Sequence, residues 1–126
     1  MPDRVLGALT GANFAHLATL RRDGSPHNST MWVSTDGTNV FFNTAEGRAK
    51  LANMRHDPRV SVSLYDDESP YQPITIQGEV IDISTEGADA HIDELASTYL
   101  GVDAYPYRSP GEVRVKVTVR PTSIIS

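Results

Sequence analysis

Hydrophobic and polar positions along this chain switch between a period of two and a helical period. Arg59 to Tyr65 alternates without a break, with Val60, Val62 and Leu64 on one side and Ser61, Ser63 and Tyr65 on the other. That pattern predicts a half-buried strand. Glu112 to Arg120 repeats it, with Val113, Val115, Val117 and Val119 inward, Arg114, Lys116 and Arg120 outward, and Pro121 closing the strand. Phe14 to Leu20, His27 to Ser34 and Asn39 to Asn43 are three more strand-like runs. The turns Asp23-Gly24-Ser25-Pro26 and Thr35-Asp36-Gly37-Thr38 connect them as an antiparallel meander. Ile74 to Ile83 is longer and irregular: Ile74, Ile76 and Val80 share one parity, Ile81 and Ile83 the other. Gly78 beside that switch predicts a bulge or bend.

Two longer segments have helical character. Thr85 to Leu100 carries Ala88, Ile92, Leu95, Ala96, Tyr99 and Leu100 on one stripe, with Ser84 or Thr85 as cap and Gly101 as stop. On that stripe His91 falls to the exposed side. Glu46 to His56 is helical in composition and is stopped by Asp57-Pro58. Arg4 to Leu9 adds a short helix weakened by Gly7 and Gly11. Six strands and two principal helices without regular βαβ alternation predict one domain over residues 1–126, mainly β (α+β), built as a small antiparallel barrel.

Composition narrows the chemistry. The chain has no cysteine, so disulfides, thiolate metal sites and thiol nucleophiles are excluded. A net charge of −5 argues against nucleic acid as a partner held by bulk electrostatics. No apolar run approaches the ~18 residues of a membrane span, and the first residues lack a signal-peptide pattern, so a cytoplasmic location is the expectation. His16, His27, His56 and His91 share no metal-ligand spacing, and no metal site is expected. The glycine patterns of Rossmann, P-loop and nucleophile-elbow sites are also missing.

Against this acidic background Thr44-Ala45-Glu46-Gly47-Arg48-Ala49-Lys50 stands out. It opens a helix with two cations where the helix dipole favours anions, and one of them is one of only two lysines in the chain. Free N–H groups at a helix start attract anions, so Arg48 and Lys50 read as a phosphate clamp, with Thr44 adding a hydroxyl. The competing reading is a pair of solvated charges, one of them neutralised by Glu46. Arg55 and His56 simply complement the other end of the helix. Asn28-Ser29-Thr30-Met31-Trp32 either edges a flat heterocycle or is an ordinary strand with a core Trp32. Pro70-Tyr71-Gln72-Pro73 and Tyr105-Pro106-Tyr107-Arg108 each read as a rigid aromatic lid or as a restrained turn.

Several stretches taken in order resemble a known family. They are Ala15 to Leu20, Asp23 to His27, Asn43 to Lys50 with Asn53, Asp57-Pro58-Arg59-Val60, Pro70-Tyr71 with Gly78, and Tyr105 to Arg108 before Pro110-Gly111-Glu112. Their sequence is similar to the pyridoxamine-phosphate-oxidase-like split β-barrel proteins, and within them to the F420-dependent flavin/deazaflavin oxidoreductases. The resemblance implies a six-stranded split β-barrel homodimer with cofactor sites at the subunit interface. It implies bound coenzyme F420, with FMN as the alternative cofactor of the same fold. By position, Arg48 and Lys50 hold the phosphate with Thr44 nearby. His27, Ser29, Thr30, Met31 and Trp32 run along the ring, Asn43 sits beside the chain linking ring to phosphate, and Tyr71 and Pro73 approach from a loop of either subunit. The residues that hold pyridoxal phosphate in the pyridoxamine phosphate oxidases are not recognisable here. The implied activity is hydride transfer between F420 and an electron-poor small molecule, with no catalytic side chain assigned. An FMN-dependent oxidoreductase and a non-catalytic F420-binding protein are the alternatives.

Overall fold

Ten elements follow one another in the computed structural model, which describes residues 1–126. They are α1 (Asp3–Thr10), β1 (Ala15–Leu20), β2 (Pro26–Met31), β3 (Ser34–Thr35), β4 (Val40–Ala45), α2 (Ala49–His56), β5 (Arg59–Leu64), β6 (Ile74–Ser84), α3 (Ala88–Leu100) and β7 (Arg114–Ile125). The strands pair antiparallel in one seven-stranded sheet of order β2-β1-β5-β6-β7-β4-β3. The outermost strands β2 and β3 are separated in the chain only by Trp32 and Val33. Such a sheet must curl until its two edges approach one another at that short break.

The expected strand His27 to Ser34 is therefore two strands, which raises the count from six to seven. Tyr99 explains the break. Its hydroxyl accepts from the Val33 N–H at 3.1 Å and donates to the Asn13 carbonyl at 2.6 Å. A side chain of α3 thus takes the place of a ladder partner.

Alternation puts Leu17, Val40, Phe42, Val62, Leu64, Val115, Val117 and Val119 in one buried cluster. Val5 and Leu9 of α1, and Leu51 and Met54 of α2, join the same cluster. Each such side chain contributes about 1.5–3 kcal/mol when fully buried. The parity switch in β6 corresponds to register shifts between Gln77 and Gly78 and between Val80 and Asp82. At Gly78 a Cβ would lie 2.7 Å from the Arg120 carbonyl oxygen, so only glycine fits this crossing. Pro121 does not close β7, which continues to Ile125. Gly78 faces Pro121 and Gln77 faces Ser123, so the missing proline N–H falls at the irregularity.

Helix boundaries also move. Helix α2 starts at Ala49 because Gly47 has φ +90° and Arg48 is still extended, while Asp57 ends it as expected. Helix α3 starts at Ala88 after left-handed Gly87, and the Ser84 hydroxyl instead accepts from the Glu86 N–H at 3.0 Å. Gly101 ends it in the left-handed conformation. Leu100 is exposed, whereas His91 is only 3% exposed. The expectation for His91 is corrected: it stands three residues after Ala88 and four before Leu95, on the face that packs on β4 and β7. No helix is long and apolar enough to cross a membrane.

Candidate functional site

Strand β4 delivers the chain to the start of α2. Arg48 is the N-cap residue, makes no capping hydrogen bond, and no acidic residue follows in the first turn. Glu46 is taken by Arg55, whose two guanidinium nitrogens donate to its carboxylate at 2.6 and 2.8 Å. It is therefore not the counter-ion of Arg48 or Lys50. Neither of those cations enters an ion pair, whereas Arg59, Arg108, Arg114 and Arg120 each have a carboxylate partner. Partial burial holds the Lys50 ammonium below its usual pKa, and the neighbouring charges of Arg48 and Arg114 push in the same direction. Three cations gathered about a single carboxylate, Glu112, favour a bound anion.

Lys50 opens onto a cleft of about 190 Å³. Of the residues singled out from sequence, Thr30, Met31, Trp32 and Asn43 line it with Lys50. Phe14, Ile92 and Leu95 supply apolar wall, and Arg114 supplies a second cation. Trp32 stacks on Tyr99 with centroids 5.2 Å apart and meets the Tyr105 ring edge-on at 6.1 Å. The cleft thus combines aromatic surface with cationic donors, which suits a flat, anionic ligand.

The remaining candidates lie elsewhere. Arg48 is exposed at the helix start and does not line the cleft. Thr44 is buried and shares the parity of Phe42, toward the sheet interior. His27 and Ser29 pair with Thr19 and Leu17 and alternate with exposed Asn28 and Thr30. The His27 Nδ1 and Ser29 Oγ atoms are buried without a partner. Tyr71 is 95% exposed and Pro73 is also exposed; both lie in the β5–β6 loop and do not line the cleft.

Two functional candidates are absent from the sequence reading, Arg114 and His91. Arg114 does point out of the sheet as expected, but it is buried. Its Nε donates to Asn43 Oδ1 at 2.9 Å and its Nη1 to Glu112 at 2.9 Å, and its guanidinium carbon lies 5.3 Å from the Tyr105 ring centroid. Asn43 Nδ2 faces the Ala88 carbonyl at 2.9 Å and His91 Nδ1 at 3.1 Å. With its oxygen turned to a guanidinium and its nitrogen to a carbonyl, the Asn43 amide has one consistent orientation. His91 Nδ1 must then accept, so the ring proton sits on Nε2 and is donated to the Ser34 hydroxyl at 2.9 Å. Burial, followed by the charges of Lys116 and Arg114, lowers the His91 pKa to about 4. A protonated ring would also turn a second donor against the Asn43 amide.

A larger groove of about 420 Å³ crosses β1, β5 and β6 between Leu20, Arg59 and Gln77. Its charges are matched, Arg59 by Asp57 and Glu79 by Arg120, so it does not rival the cleft as an anion site.

A curled antiparallel sheet carrying an aromatic, cation-lined cleft at a strand-to-helix junction defines the class of protein. The chain belongs to the pyridoxamine 5'-phosphate oxidase family, whose sequence pattern matches residues 1–124. A solved structure named F420 Reductase is 31% identical with a TM-score of 0.86, the match covering 99% of this chain and 98% of that one. A conserved hypothetical protein from Mycobacterium tuberculosis is 25% identical with a TM-score of 0.76, over 98% of this chain and 82% of that one. General Stress Protein 26 from Bacillus anthracis, 18% identical with a TM-score of 0.72 over 97% and 89%, shares the fold. The resemblance to the F420-dependent branch of the family stands on the first of these.

Proposed function

We propose that this protein is an F420-dependent oxidoreductase that transfers a hydride between the coenzyme and an electron-poor small molecule. The observation that carries the reading is the pair Arg48 and Lys50, two cations without a carboxylate at the start of α2. The aromatic cleft beside Lys50 and the 31% identity to an F420 reductase support it. These residues suit a phosphate joined to a flat ring. Lys50 and Arg48 would bind the phosphate, while Trp32, Met31 and Phe14 would orient the ring and exclude water from one of its faces. When bound, the deazaflavin supplies two-electron hydride chemistry, so the chain needs no nucleophile or metal of its own. An electron-poor C=C or C=N bond of the substrate would receive the hydride on one atom and a proton, from solvent or a tyrosine, on the other.

The cleft of one protomer is smaller than the ~300–1,000 Å³ usual for cofactor pockets, at about 190 Å³. Phe14 and Tyr107 are exposed aromatics. Both features support a homodimer in which a second copy completes the site, with Tyr71 and Pro73 approaching the cofactor from the loop of either subunit.

Side-by-side fluorescence titration with F420 and FMN tests the reading. The expected outcome is tighter binding of F420, weakened by about 1.5–3 kcal/mol in Lys50→Ala or Arg48→Ala, the scale of a hydrogen bond to a charged group. Unchanged affinity in both variants would remove the clamp. Tighter FMN binding, with a flavin double absorption band in the purified protein, would reassign the cofactor. Binding without turnover on activated alkenes or imines would leave a carrier.

A further inference from the structure

We infer that Arg114 is a third cation of the anion site, held in place by a buried relay through Asn43 and His91. The inference rests on the proposed cofactor reading and adds to it a binding residue and two positioning residues. Arg114 shares the cleft with Lys50 and presses on its ammonium. Two faces of its guanidinium are already fixed, by Asn43 at 2.9 Å and by Glu112 at 2.9 Å. Its Nη2 has no partner within the chain, and it is the donor left to meet a ligand oxygen. Lys50 and Arg114 line the cleft, the charge of Arg48 acts on Lys50 from the helix start, and Glu112 is the one carboxylate paired among them, so an anion is needed to balance the charge.

The relay explains why this arginine is fixed in orientation. A guanidinium bound through Nε and one Nη is a rigid fork, which loses little freedom on meeting a phosphate. Engagement of its amide nitrogen on the other side keeps the Asn43 oxygen turned toward Nε. The Ala88 carbonyl and the unprotonated Nδ1 of His91 provide that engagement, and the Ser34 hydroxyl holds the far nitrogen of the ring. Strand β3, helix α3, strand β4 and strand β7 are joined through four side chains that end at the cleft. Arg114 is assigned to the same phosphate oxygens as Lys50.

The test is F420 titration of the purified full chain over a range of salt, with inorganic phosphate as competitor. Because Arg114→Gln alone would strand the Glu112 carboxylate, the informative variant is Arg114→Gln combined with Glu112→Gln. It is expected to bind F420 about ten- to a hundredfold more weakly, to depend less on salt, and to lose competition by phosphate. Glu112→Gln alone frees the arginine of its counter-charge and is expected to bind F420 at least as tightly as the unmodified protein. A merely structural arginine would make both variants bind more weakly. His91→Phe removes the acceptor for Asn43 and is expected to weaken F420 binding without reducing its salt dependence, since all three cations remain. If the double variant keeps the affinity and salt dependence of the unmodified protein while Lys50→Ala loses them, the inference falls and the cofactor reading stands. If the unmodified protein binds neither F420 nor FMN, both fall.

Discussion

Helices α2 and α3 both pack on the sheet, yet they treat charge in opposite ways. In α3 an acid, Asp89, stands in the first turn where the helix dipole favours it. Arg108 ties Asp89 and Asp93 together at 2.9 and 2.8 Å, and Asp93 also accepts the Tyr105 N–H at 2.9 Å. Both of these acids therefore have a partner. In α2 the first turn holds Lys50 behind Arg48, with no acid, and the nearby Glu46 serves Arg55 at the other end of the helix. Under the proposed function, the difference separates a charge arrangement that stabilises its helix from one that serves a ligand. The start of α3 follows the local electrostatic rule and the start of α2 breaks it, which is the pattern expected if α2 holds an anion.

The largest expected effect concerns how α2 is attached. Its buried residues are Leu51 and Met54, whereas α3 buries five side chains. Leu51→Ala is expected to cost about 2–5 kcal/mol of stability in urea unfolding, and to lower cofactor affinity as the clamp loses its footing. A cost below about 1 kcal/mol, outside the usual range for a core leucine, would show that α2 does not depend on its apolar anchors.

A second effect belongs to α3. His91 titrates near pH 4 in the folded chain, from an ordinary value of 6.5. Between those values the unfolded chain binds the extra proton, so stability is complete above about pH 6.5 and is lost as pH falls toward 4. Full loss amounts to roughly 3 kcal/mol. His91→Gln is expected to flatten unfolding free energy against pH in that window. Asp57, with a pKa of about 2, is lost only at lower pH and does not enter the window. An unchanged slope in the variant would place the pH dependence elsewhere.

Much of this architecture is legible in the sequence, and what is not has a physical cause. The alternation of β5, the parity switch at Gly78 and the stop at Gly101 are local signals, and each corresponds to a local feature of the fold. The break at Trp32-Val33 is not local, because Tyr99 makes it from a helix 66 residues away. Burial of Arg114 is hidden for the same reason. Period two gives its side of the sheet, but only the fold reveals that α3 and the Tyr105 loop cover that side. His91 could have been found, since it lies one turn from both Ala88 and Leu95, but its partners Ser34 and Asn43 sit on distant strands. For the site itself, the cations at the start of α2 announce themselves by breaking a rule. Residues such as His27 and Ser29 share a strand with Thr30, and alternation turns their side chains to the other face.

The smallest effect sharpens the contrast between the helices most. If α2 is built against its own dipole for the sake of a ligand, correcting it should stabilise the empty protein. Lys50→Glu places an acid in the first turn, removes the repulsion from Arg48 and Arg114, and gives Arg48 a counter-ion. The expected gain is about 0.3–1 kcal/mol in the cofactor-free chain, measured as a shift in the urea midpoint with the slope unchanged. The same substitution should abolish F420 binding, because it presents a carboxylate to a phosphate. Lys50→Gln separates the two contributions, removing repulsion without adding an acid, and should fall between the parent and Lys50→Glu in stability. If Lys50→Glu destabilises the empty chain instead, Lys50 is a packing residue of α2, and its stem rather than its charge explains its position. Stability gained together with binding lost is the pattern expected of residues kept for function at a cost to the fold.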